Sequence, residues 1–157
     1  MTKRYYIAYG SNLNTKQMMY RCPRAVILGT ATLKDWELLF KGSRTGSYLT
    51  IEPCEGGEVP VAIWEVTRTD EQSLDRYEGF PNFYYKKDIC VTYVGIKTGR
   101  QRTVTAFAYI MNERNPIGVP SDFYLNACLE GYDTFGFESQ ILLNAYDKCK
   151  EMAKNEM

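Results

Sequence analysis

Apolar positions along this chain come in short bursts separated by polar and glycine-containing breaks. Tyr5-Tyr6-Ile7-Ala8-Tyr9 has strand composition and breaks at Gly10-Ser11-Asn12. Asn14-Thr15-Lys16-Gln17 then predicts a capped helix start, with Gln17 reaching back to Asn14, and Cys22-Pro23 ends that helix. Residues 25–33 and 36–40 read as two strands joined near Lys34-Asp35, followed by a loop at 42–47 and a strand at 48–51. Glu55-Gly56-Gly57-Glu58 reads as a turn, and 59–67 as a strand with large apolar side chains. Thr69-Asp70-Glu71-Gln72 reads as a capping box, opening a helix through Leu74 and Tyr77 to Glu78 that Gly79 stops. Strands at 84–93 and 103–111 flank a turn at 95–99, and 112–120 is an irregular loop. Ser121 begins a helix through Leu129, and a last helix covers about 138–154, with Ile141, Leu142, Ala145, Tyr146 and Cys149 at helical spacing. About seven strands, mostly in succession, and four helices predict one α+β domain over 1–157. Its centre is a small barrel-like mixed or antiparallel β-sheet with packed helices.

Charge and composition narrow the function classes. Lys+Arg and Asp+Glu each number 19, for a formal net charge of zero. That balance argues against a broad electrostatic footprint for nucleic acid or an acidic membrane. The basic pairs Lys86-Lys87 and Arg100/Arg102 read as solvated. No apolar run is long enough to span a bilayer, and no secretory signal pattern opens the chain, so a cytoplasmic protein is expected. Five cysteines without a CxxC pair read as reduced thiols, several of them core packing. Most informative is an absence, since the chain has no histidine. Ser-His-Asp and Cys-His pairs, histidine metal sites and histidine general bases are excluded together. Acid–base work must fall to a carboxylate, lysine, tyrosine or cysteine. No ligand cluster suggests a metal or cofactor. Thirteen tyrosines suit a strand-rich architecture or an aromatic-walled pocket.

Two stretches carry candidate chemistry. Strand, glycine, polar pair and helix start at residues 5–14 aim backbone N–H groups at one point, where they can hold an anion or a developing negative charge. Many such junctions do nothing. Glu78 lies four positions after Leu74, so the two share a helix face, and it sits at a helix C-terminus, where a carboxylate is disfavoured. Burial and the dipole would both raise its pKa. The plainer reading is a surface glutamate paired with Lys86 or Lys87, and helix geometry alone leaves both open. A raised carboxylate and an anion-cradling turn form a base and an oxyanion site, suited to attack on a carbonyl without a covalent enzyme nucleophile. Ser11 as nucleophile lacks a G-x-S-x-G elbow and a histidine. Nucleotide binding is disfavoured because both G-x-G-x-x-G and G-x-x-x-x-G-K-[ST] are missing.

Four segments in order resemble the γ-glutamylcyclotransferase family, including its plant-induced and bacterial relatives. They are Tyr6-Ile7-Ala8-Tyr9-Gly10-Ser11-Asn12-Leu13, Ser73-Leu74-Asp75-Arg76-Tyr77-Glu78-Gly79, Phe83-Tyr84-Tyr85, and Pro120-Ser121-Asp122-Phe123-Tyr124-Leu125 through Gly131. The resemblance implies a barrel-like α+β fold with a cavity, and Glu78 as the acid–base catalyst. Tyr6, Ile7, Ala8, Tyr9, Gly10, Ser11 and Asn12 would bind substrate, with Tyr124 beside it. The implied partner is a small γ-glutamyl compound, cyclised to 5-oxoproline without metal or cofactor. The alternative is a non-catalytic module on the same fold that binds a small carboxylate or regulates. Segments 42–47, 80–85 and 112–120 are expected to form the far wall that selects the leaving amine. The identity of that amine stays open, as does the choice between monomer and homodimer.

Overall fold

The computed structural model describes residues 3–43 and 46–155. Five strands close into a barrel: β1 (Lys3–Ala8), β2 (Val26–Ser43), β3 (Gly46–Thr67), β4 (Tyr84–Gly95) and β5 (Gln101–Met111), in the order β1-β3-β2-β4-β5. Neighbours are antiparallel except where β5 returns to β1 through the parallel pair Tyr6↔Phe107. Four helices pack on this barrel: α1 (Thr15–Arg21), α2 (Arg68–Glu78), α3 (Asp122–Phe135) and α4 (Ser139–Asn155). The α+β barrel class matches the expectation. No helix among the described residues is long and apolar enough to cross a membrane.

Five strands replace the expected seven because the two breaks face each other in one irregularity of the β2–β3 ladder and neither is a reversal. Between Lys34↔Glu58 and Trp36↔Pro53 the register slips, and the Gly56 N–H donates to Asp35 Oδ1 at 3.0 Å. Asp35 takes φ 66°, a conformation that a short polar side chain tolerates, and the ladder resumes beyond it. The stretch read as a turn at Glu55-Gly56-Gly57-Glu58 therefore lies inside β3. Pairing also runs deep into the loop expected at 42–47, through Gly42↔Ser47 and Ser43↔Gly46. Arg44 and Thr45 lie outside the described residues. Positions 59–64 are all buried, because this part of β3 is sandwiched between β1 and β2 and covered on both faces.

Helix ends follow local chemistry with two corrections. Asn14 caps α1 by accepting the Gln17 N–H at 3.2 Å, but the Gln17 side chain accepts from Arg21 instead of reaching back. The cap of α2 is Thr67, which accepts the Asp70 N–H at 3.1 Å, so the capping box expected at Thr69 begins inside the helix's first turn. Gly79 closes α2 at φ 66°, with its own N–H on the Arg76 carbonyl and the Phe80 N–H on Asp75. That paired closure needs a left-handed residue, which glycine adopts without steric cost. Ser121 caps α3, which runs on to Phe135 rather than ending at Leu129.

Candidate functional site

Between β1 and α1 the chain makes a single 3₁₀ turn, Ser11–Leu13, whose own hydrogen bonds begin at Leu13 N–H on Gly10 and Asn14 N–H on Ser11. The N–H groups of Ser11 and Asn12 precede those bonds and stand as the turn's leading donors. Helix α3 is pressed against this turn at Gly131, where a Cβ would lie 2.6 Å from the Leu13 carbonyl carbon. Asn14 adds a tie, since its amide donates to the Ala127 carbonyl at 3.2 Å and to Glu130 Oε2 at 2.9 Å.

The turn forms one wall of a cavity of about 230 Å³. Tyr6, Tyr9, Gly10, Ser11 and Asn12 line it from the turn side, Glu78 from the end of α2, and Tyr124 from α3. Ile7 and Ala8 do not line it. Ile7 projects from the opposite face of β1 to Tyr6, and the Ala8 methyl is sealed in the core, both with no exposed surface. The far wall is Tyr48, Leu49, Phe83 and Tyr84, with Tyr77 and Tyr109 completing the ring. Among the described residues, segments 42–47 and 112–120 contribute no lining, whereas 80–85 contributes Phe83 and Tyr84. Seven of the 13 tyrosines thus face this one space, which accounts for much of their excess in the composition. Tyr77 was legible as the neighbour of Glu78. Tyr48 and Tyr109 carried no local signal.

Glu78 shares a face with fully buried Leu74, and the surface it keeps opens on the cavity. Neither lysine expected as its surface partner takes it. Lys86 lies 2.6 Å from Glu71 and 2.9 Å from Asp75, largely shielded from solvent, so it is not a solvated pair with Lys87 either. Burial pushes the Glu78 carboxyl up from 4.5 to about 8, with Arg21 pulling the other way. The tyrosine hydroxyls around it are raised too, first by burial and further by the Glu78 charge, so they are neutral donors and acceptors.

Hydrogen bonds already made set the polarity of those hydroxyls. Tyr84 O–H donates to the Leu49 carbonyl at 2.7 Å and Tyr109 O–H to Asp75 at 2.6 Å, which leaves oxygen lone pairs toward the cavity. Tyr124 instead accepts the Leu49 N–H at 3.1 Å, and Tyr6 accepts Asn12 Nδ2 at 2.9 Å, so each keeps a proton to donate. Tyr6 and Tyr124 therefore offer protons to the cavity, whereas Tyr84, Tyr109 and Tyr9, whose O–H donates to the Tyr109 carbonyl at 2.6 Å, offer acceptors. Among the described residues, no group of three or more Cys, Asp and Glu side chains is placed to hold a metal ion.

A half-buried glutamate that ionises late carries a stability cost with a definite sign. Between pH 4.5 and about 8 the unfolded chain gives up the Glu78 proton while the folded chain keeps it, so stability falls as pH rises through that window. Glu78→Gln removes the titration. The variant is expected to exceed the parent in urea stability by about 2 kcal/mol at pH 8, water in the cavity reducing the larger figure that a dry site would give. The gap should close at pH 4.5. An equal gap at both pH values contradicts the assignment.

The model of the family described as "Gamma-glutamyl cyclotransferase, AIG2-like" matches residues 6–126, which include the turn, Glu78 and Tyr124. The chain belongs to this family. Gamma-glutamylcyclotransferase of Bos taurus is 32% identical over 151 residues, covering 90% of this chain and 78% of that protein. The Homo sapiens protein of the same name is 34% identical over 113 residues, 68% of this chain. That match spans 58% of the human protein's length, less than two thirds. A solved structure named "Gamma-glutamyl cyclotransferase" superposes with a TM-score of 0.76 at 27% identity, covering 95% of this chain and 87% of the other.

Proposed function

We propose that this protein is a γ-glutamylcyclotransferase that closes the γ-glutamyl group of its substrate into 5-oxoproline. The observation that carries this reading is the meeting of Glu78, a carboxyl that titrates near neutrality, with the donor-rich Ser11–Leu13 turn around one aromatic cavity. A γ-glutamyl compound contains its own nucleophile, the α-amine, so folding the substrate replaces a second encounter and effective molarity is high. Glu78 as carboxylate takes a proton from the α-ammonium, and the freed nitrogen forms a bond to the γ-carbonyl carbon. The carbonyl electron pair moves onto oxygen, where the Ser11 and Asn12 N–H groups, with the Tyr6 or Tyr124 hydroxyl, offset the charge. Collapse re-forms the carbonyl as Glu78 returns its proton to the leaving nitrogen and the bond to that amine breaks. The Glu78 carboxylate then takes the second proton from the ring nitrogen and passes it to the released amine, which departs as ammonium and leaves a neutral lactam. Ser11 acts through its backbone, its hydroxyl lying 3.2 Å from that of Tyr77. The Cys22, Cys54, Cys90, Cys128 and Cys149 thiols are free, which supports a reducing, cytoplasmic setting.

A panel of γ-glutamyl amino acids and γ-glutamyl amines, read by 5-oxoproline release, tests the reading. Release from some members, and none from α-glutamyl isomers, is expected. Thermal stabilisation by panel members without any release would replace it with the non-catalytic binding module.

A further inference from the structure

The site has two halves on separate elements, the Ser11–Leu13 turn and the Tyr77–Glu78 end of α2, and no backbone pairing joins them. Arg21, in the last turn of α1, touches both. Its Nη1 donates to Asn12 Oδ1 at 2.6 Å, its Nη2 donates to Gln17 Oε1 at 3.0 Å, and its guanidinium lies over the Tyr77 ring, 3.5 Å from the centroid. Among the described residues no ion pair involves Arg21. A partly buried guanidinium held by two amides and a ring, with no carboxylate on its fork, is arranged for placement rather than for a surface ion pair.

The contact with Asn12 reaches further. A guanidinium can only donate, so the oxygen of the Asn12 amide must face it, and the Nδ2 group must point to Tyr6. Tyr6 then accepts, and its hydroxyl proton is turned outward to the cavity that its ring lines. The second contact acts on the residue beside the carboxylate, because the ring that Arg21 covers belongs to Tyr77.

We infer that Arg21 is a positioning residue: it holds the turn in register with the end of α2 and, through Asn12, makes the Tyr6 hydroxyl a donor into the cavity. Its consequence for rate rests on the cyclotransferase reading; its consequence for the resting site does not. Arg21 is also the charge that opposes the rise of the Glu78 pKa. The other titratable groups around that carboxyl are the neutral hydroxyls of Tyr6, Tyr9, Tyr77, Tyr84, Tyr109 and Tyr124. Removing the cation therefore leaves nothing to replace it.

Arg21→Met and Arg21→Lys are compared with the parent in two readouts. The first is the titration of the Glu78 carboxyl by ¹³C NMR without substrate, and the second is kcat and KM for 5-oxoproline release. In Arg21→Met the Glu78 midpoint is expected to rise by about 1, and kcat to fall roughly 10²-fold with a smaller change in KM, as a displaced turn requires. In Arg21→Lys the midpoint returns toward the parent value while kcat stays low, because an ammonium keeps the charge but loses the fork and the stack. A folded Arg21→Met with the parent midpoint and the parent kcat overturns the inference. If that variant does not fold, Arg21→Lys decides alone, and parental kcat in it overturns the inference. A shifted midpoint in Arg21→Met alongside a parent that releases no 5-oxoproline supports the positioning role and removes the proposed activity.

Discussion

Glu78→Gln is expected to lower kcat for 5-oxoproline release by about 10²–10⁴-fold, the range that loss of a positioned acid–base group produces. The substitution keeps the length and shape of the side chain at a position whose remaining surface opens on the cavity, so the wall is preserved. The lost step is proton transfer in both directions, from the α-ammonium and to the leaving amine. KM should change less than kcat, because an amide can still hydrogen-bond the ammonium through its carbonyl oxygen. The same variant is expected to be more stable than its parent at pH 8, so inactivity cannot be assigned to unfolding. Activity within tenfold of the parent would remove Glu78 from the mechanism.

Gly131→Ala is the second large effect, and it acts from outside the cavity. The added methyl would lie 2.6 Å from the Leu13 carbonyl carbon, 2.7 Å from Leu13 Cβ and 2.8 Å from the Asn14 nitrogen. Two of these three atoms are backbone, so either α3 or the turn must move. Overpacking of this kind costs about 1–3 kcal/mol. A shift of the turn by about 1 Å also displaces the Ser11 and Asn12 N–H groups, for which a loss on the order of 10²-fold in kcat is expected. Measured together, urea unfolding and kcat should both fall. Parental kcat would mean that the turn's position does not govern the reaction, whatever the stability.

How far the sequence reached depends on the range of the interactions. The α2 stop at Gly79, the cap at Asn14, the helix start at Ser121 and the shared face of Leu74 and Glu78 all arise within a few residues of one another, where local rules apply, whereas helix geometry alone leaves Glu78 open between cavity and surface. The absence of histidine directed attention to a carboxylate before any geometry was available. Ile7 and Ala8 belong to the segment that carries the family resemblance but not to the cavity lining, and strand alternation alone sets Ile7 on the face opposite Tyr6. Asp35 and Gly56 each look like a strand break in isolation, but each is the other's partner across one irregularity of the β2–β3 ladder. Tyr109 enters the cavity because β5 pairs with β4 and closes on β1, a relation across about a hundred residues that no local pattern encodes. Arg21 escaped for the same reason, its role resting on Asn12 and Tyr77 together.

Everything proposed for the site rests on one carboxyl, Glu78, half-buried beside a donor-bearing turn and pushed up to where it can exchange protons near neutral pH. The direct measurement is the ¹³C titration of the Glu78 side chain in the free protein, set beside the rising limb of kcat/KM, which reports the free enzyme's base. Both are predicted to have their midpoint at about 8. A Glu78 midpoint near the ordinary 4.5, with a rate that does not rise between pH 6 and pH 8, would contradict the account.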